Sequence, residues 1–89
     1  MVVKEVVIKN QSGLQSKSAA VFIQKASNYK SDIWIEKDER KANAKSLLGL
    51  LSLGIGNGTR VVVIAEGEDE VKAAGELEEY LESNAVEIM

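Results

Sequence analysis

Apolar and polar positions alternate along the chain in a way that divides it into seven segments. Residues 2–9 are rich in β-branched side chains and predict a strand, with a loop following over Asn10 to Gly13. Residues 16–28 fit a helix, with Ala19, Ala20, Phe22, Ile23 and Ala26 as its apolar stripe. Residues 32–36 alternate, Ile33 and Ile35 on one side and Asp32, Trp34 and Glu36 on the other, so one sheet face is expected to be partly open. Residues 37–40 read as a hairpin turn and 40–43 as its short returning strand. In "KSLLGLLSLGIGNGT", residues 45–59, Ser46 is a good N-cap for a short apolar helix running to about Leu53. Gly54, Gly56 and Asn57-Gly58 break that helix. Residues 60–65 form the last strand, and Asp69 and Glu70 open a final helix, where negative charge suits the helix dipole. Its expected stripe is Val71, Ala74, Leu77 and Leu81. The order is βαββαβα, without repeat or linker, so residues 1–89 read as a single domain.

Composition limits the chemistry. A chain of 89 residues buries roughly 60 to 65% of its unfolded surface, enough for one core with little room for a deep catalytic cavity. It has no Cys and no His. Thiolate and imidazole zinc sites, disulfides and thiol or imidazole catalysis are therefore excluded, and no cofactor is implied. Lys4 and Glu5 interrupt the apolar N-terminal stretch, which therefore reads as neither signal peptide nor membrane span; a cytoplasmic protein is expected. Residues 1–45 carry a net charge of +4 and residues 46–89 a net of −7. An acidic chain without a basic stripe is a poor direct binder of nucleic acid, and the acidic half reads as a solvated helix face.

Two helix N-termini remain as candidate sites. Around the short helix, Leu47, Leu48, Leu50, Leu51 and Leu53 spread over most of the helical wheel. Leu50 and Leu53 are expected to face the sheet, leaving Leu47, Leu48 and Leu51 beside Ser46 as an apolar docking patch; the alternative is that all five are core. Ser46 is either a simple cap or a phosphorylation site, its phosphate meeting free backbone N–H groups with Lys45 adjacent in sequence. Ser52 also lies in this segment, and its hydroxyl is expected to be the less accessible. The other N-terminus is "SGLQSKSAA", residues 12–20, where Gln15 or Ser16 can cap and Lys17 adds positive charge. Ser12, Ser16 and Ser18 supply hydroxyls with no base to activate them, and capping accounts for them.

Three segments carry a resemblance. "GLQSKSAAVFIQKAS", "KANAKSLLGLLSLGI" and "AEGEDEVKAA" resemble the first-helix motif, the regulatory serine segment and the start of the last helix of HPr, the phosphocarrier of the bacterial sugar phosphotransferase system. The resemblance spans nearly the whole chain. It implies an α+β open-faced β-sandwich: a four-stranded antiparallel sheet in order 1-4-2-3 with three helices on one face. Gln15 stands where the family carries its phosphorylated histidine, Lys17 replaces the motif arginine and Ser18 the motif proline. An amide cannot carry the phosphoryl group, and a lysine lacks the rigid guanidinium fork that clamps phosphate.

The family's variant with glutamine at this position is Crh, the catabolite repression HPr. By that resemblance, Ser46 is the serine modified by HPr kinase/phosphorylase, and the phosphorylated form is a corepressor for a catabolite control protein A-type repressor. Leu47, Leu48 and Leu51 would contact the partner, with Lys17 and Ala20 extending the surface. The implied protein is no enzyme but a phosphorylation substrate and adaptor, and a homodimer is left open. Two alternatives stay open: a phosphocarrier using another acceptor such as Ser12 or Ser16, and an HPr-fold interaction domain with a different partner. Glu39 occupies a turn position where the family often has Gly, which costs stability if that turn needs positive φ.

Overall fold

The computed structural model describes residues 1–10 and 13–83, without the side chain of Ser16. Strands β1 (Val2–Val7), β2 (Asp32–Lys37), β3 (Arg40–Asn43) and β4 (Arg60–Glu66) alternate with helices α1 (Ser16–Ser27), α2 (Leu47–Leu53) and α3 (Glu70–Glu82). All strand pairings are antiparallel and the sheet order is β1-β4-β2-β3, as the resemblance implied.

The strand alternation sets which side receives the helices. Val6, Ile33, Ile35, Val61, Val63 and Ala65 point inward and are buried. They meet Ala19, Phe22 and Ala26 of α1, Leu50 and Leu53 of α2, and Ala73, Ala74, Leu77 and Leu81 of α3 in one core. Among the described residues no helix covers the opposite face, where the register places Val3, Ile64, Trp34 and Asn43 in one row. Lys41 packs its ammonium 5.3 Å from the Trp34 ring centroid on that open side.

Two expected stripe residues point elsewhere. Val71 is 73% exposed, and Ala73 takes the inward position on α3. At 100° per residue Val71 lies about 120° round the helix from Leu77, whereas Ala73 lies about 40° away. Ala20 is exposed for the same reason, about 160° from Phe22. The β2–β3 hairpin closes through Asp38 (φ 51°) and Glu39 (φ 67°), both left-handed. The turn therefore does need positive φ at Glu39, where a side chain is strained.

Candidate functional site

The N-terminus of α2 is built around Ser46. Its backbone is extended (φ −113°, ψ 119°), and its Oγ accepts the Gly49 N–H at 3.2 Å. The chain reaches this cap through Lys45, whose ammonium donates to the carbonyls of Tyr29 (2.8 Å) and Ser31 (3.0 Å) just beyond α1. Lys45 is thus committed to the α1–β2 connection and does not face the Ser46 hydroxyl as its place in sequence suggested. Beyond the cap the leucines divide: Leu50 and Leu53 are buried, while Leu47, Leu48 and Leu51 are 46%, 81% and 42% exposed.

Ser52 is exposed, contrary to the expectation that its hydroxyl would be the less accessible. It occupies the last turn and donates to the Gly49 carbonyl at 2.8 Å. That turn is the negative end of the helix, where an added phosphate meets exposed carbonyls rather than N–H groups. The C-terminus of α2 is closed from outside the helix. Gly54 adopts a left-handed conformation (φ 61°) and its N–H bonds Leu51. Lys37 donates to the carbonyls of Leu53 (3.1 Å) and Gly54 (2.8 Å), and the Arg40 guanidinium to that of Ser52 (2.5 Å).

The N-terminus of α1 is closed inward. Gln15, extended at φ −137°, is the N-cap, and Ser16 is the first helical residue. Ser18 is buried; its Oγ accepts the Gln15 N–H at 3.1 Å and donates to the Gly13 carbonyl at 2.5 Å. A second acceptor, the Gln15 carbonyl, lies 3.0 Å away. The Ser18 hydroxyl is therefore occupied as a brace, and the Tyr80 hydroxyl ties the Ser18 carbonyl to α3 at 3.2 Å. Gly13, at φ 69°, lies so near the strand-ward exit of α2 that an added Cβ would stand 2.5 Å from the Ile55 carbonyl oxygen. The Leu14 N–H bonds that same carbonyl at 2.9 Å. Ser12 lies outside the described residues.

These contacts fix how the two N-termini relate. Leu14 at the head of α1 meets Ile55 past the end of α2, and Lys45 ahead of α2 meets Tyr29 past the end of α1. The helices thus run antiparallel. Lys17 and Ala20 are exposed near the start of α1, and Gln15 and Ser46 sit at opposite ends of the helix pair.

Sequence reasoning missed the basic fork of Lys37 and Arg40 and the carboxylate of Asp69. Asp69 accepts the N–H groups of Lys30 (2.9 Å) and Ser31 (3.0 Å) and the Ser31 hydroxyl (2.5 Å). That hydroxyl, then the Lys30 N–H, holds its carboxyl down at about 2. Tyr29 donates its hydroxyl to Glu76, which pushes its ionisation up to about 12. The two-residue length of the 38–39 turn was the available signal for the fork, since it sets Lys37 directly opposite Arg40. Among the described residues no cluster of three acidic, His or Cys side chains is arranged to hold a metal, and no helix is long and apolar enough to cross a membrane.

An open-faced sandwich with a capped, leucine-bearing second helix is the architecture of a phosphotransferase-system phosphocarrier fold. The family described as "PTS HPr component phosphorylation site" matches residues 2–83, and the chain belongs to the HPr family. It is 45% identical to the HPr-like protein Crh of Bacillus subtilis over 82 residues, 92% of this chain and 96% of that protein. The crystal structure of HPr-C-His from Thermoanaerobacter tengcongensis superposes with a TM-score of 0.90 at 45% identity, covering 92% of each chain. Crh of Bacillus subtilis, solved as a swapped, intertwined dimer, gives a TM-score of 0.76 at 42% identity over 98% of this chain and 100% of that one. Overall identity is thus the same to an HPr and to a Crh, and the chain is an HPr-family protein of the phosphotransferase and catabolite-repression kind.

Proposed function

We propose that this chain is a Crh-type regulator of carbon catabolite control, switched by phosphorylation at Ser46 and without phosphocarrier activity. It acts in the cytoplasm as substrate of an HPr kinase/phosphorylase and as corepressor of a catabolite control protein A-type repressor, and has no catalytic residues of its own. One observation carries the reading: the N-terminus of α2 puts a serine hydroxyl beside three exposed leucines, Leu47, Leu48 and Leu51. A phosphate on Ser46 adds about −1.5 to −2 charges next to an apolar surface, at the helix end where its oxygens meet unpaired N–H groups. The switch then recolours the docking face without unfolding the helix. Lys17 and Ala20 extend that face from α1.

The other N-terminus supports the same reading. Gln15 caps α1 with an amide, and the chain has no His to accept phosphate. Ser18, the buried hydroxyl there, is engaged with Gly13 and Gln15. The test is binding of the serine-phosphorylated protein to the repressor. Phosphorylated chain is expected to bind and unmodified chain to bind much more weakly, with Ser46→Ala matching the unmodified protein after kinase treatment. Equal binding of both forms refutes the switch.

A further inference from the structure

The two ends of α2 are held differently. Its N-terminus is capped by its own serine, but its C-terminal carbonyls are held by β-hairpin side chains. Lys37 and Arg40 are cross-strand partners in the β2–β3 register. Two like charges directly opposite one another repel. Here both ammonium and guanidinium reach the helix end, bonding three successive carbonyls: Ser52, Leu53 and Gly54. Those carbonyls are the negative pole of the helix, so the pair is offset by the charge it faces. The hairpin is held to this arrangement by a two-residue turn with both residues left-handed, Asp38 and Glu39. A two-residue closure keeps Lys37 and Arg40 on one side of the ribbon, where a longer loop would splay them.

A helix of seven residues is too short to persist on its own. The inward anchors Leu50 and Leu53 fix its axis against the core. Their apolar side chains supply no donors to the last carbonyls, which have no partner within the helix and depend on groups from outside it. We infer that Lys37 and Arg40 are positioning residues for the switch helix: by holding its last turn they fix the exposed Leu51 and Leu48 relative to Ser46. This rests on the reading of α2 as the docking helix. They touch no phosphate and take no part in phosphoryl transfer.

The test compares Lys37→Met/Arg40→Met with Lys37→Arg/Arg40→Lys and with Lys9→Met/Lys72→Met, which removes the same charge from exposed positions elsewhere. Amide hydrogen exchange on the free proteins reads the anchor directly. In the Met pair, exchange at the Gly54 N–H and the last turn of α2 should rise at least about tenfold, with the sheet amides of Val63 and Ala65 unchanged. The second readout is Ser46 phosphorylation by HPr kinase/phosphorylase. KM should rise several-fold for the Met pair with kcat unchanged, return in the Arg/Lys pair and stay at the parent value in the charge-matched control. Unchanged exchange in α2 overturns the anchor. Faster exchange with an unchanged KM overturns the positioning role, and so does an equal rise in KM in the charge-matched control. A parent protein that the kinase does not modify at all refutes the function proposed for Ser46 instead, and exchange still decides the anchor.

Discussion

The heads of α1 and α2 are built from similar parts and end up in opposite conditions. Each begins at an extended cap residue, Gln15 or Ser46, and each uses a serine hydroxyl to join the cap to the first turn: Ser18 in the turn accepts the Gln15 N–H, and Ser46 at the cap accepts the Gly49 N–H. At α1 the hydroxyl is Ser18, buried and shared between Gln15 and Gly13, with α3 closing over it through Tyr80. At α2 the hydroxyl is Ser46, half-buried, and the residues beside it are exposed leucines. A cap motif therefore does not tell a hydroxyl beside an open surface from a buried brace. The surroundings do: whether a hydroxyl's bonding capacity is already used inside the fold, and whether a surface lies beside it for a partner to read.

The comparison is broken hardest at the leucines. Leu50→Ala leaves a cavity under α2 and should cost about 2 to 5 kcal/mol in urea unfolding. Leu48→Ser, 81% exposed, should stay within about 0.5 kcal/mol of the parent. Equal losses would make α2 core on both sides and remove the docking face. Next comes the brace at α1: Ser18→Ala removes the acceptor of the Gln15 N–H and should cost about 1 to 2 kcal/mol by the same measurement. Ser46→Ala loses a more exposed cap and should cost less. Glu39→Gly acts in the other direction, relieving a left-handed side chain and stabilising by about 1 kcal/mol.

The smallest effect is at Asp69, which tethers the Lys30–Ser31 connection that Lys45 also grips. Its carboxyl titrates at about 2 in the fold, below its ordinary value of 3.8. The folded state therefore binds the proton more weakly than the unfolded one. The stabilisation is present above pH 4 and is lost as pH falls toward 2. Acid unfolding of Asp69→Asn should lack this component, and an identical acid limb in both proteins would show that the tether contributes nothing.

Much of this was legible in the chain because periodicity reports faces. The strand alternation in residues 32–36 and the spacing of the five α2 leucines both anticipate the observed burial. Val71 and Ala20 were misplaced because "apolar at helical spacing" admits positions well away from the centre of the buried arc, and a small Ala73 packs against the sheet better than a valine off that arc. Side-chain reach was the illegible part. Lys45 is next to Ser46 in sequence, yet its stem runs to Tyr29 and Ser31. Lys37 and Arg40 were read as turn residues, yet they close a helix 12 to 17 residues further on. Ser52 was expected to be sheltered because it lies within a helix, whereas it occupies the exposed side. Long flexible side chains choose acceptors across the tertiary structure, and no local pattern encodes that choice.

The central claim is that α2 carries the switch and α1 no longer accepts phosphate. The most direct measurement presents the intact protein in parallel to HPr kinase/phosphorylase with ATP and to enzyme I with phosphoenolpyruvate, then maps phosphate by intact mass and tandem mass spectrometry. The account predicts a single phosphate from ATP, located on Ser46 and absent in Ser46→Ala, and none from phosphoenolpyruvate. An acid-labile adduct formed from phosphoenolpyruvate, or an ATP-derived phosphate placed on Ser52 or Ser12, would contradict it.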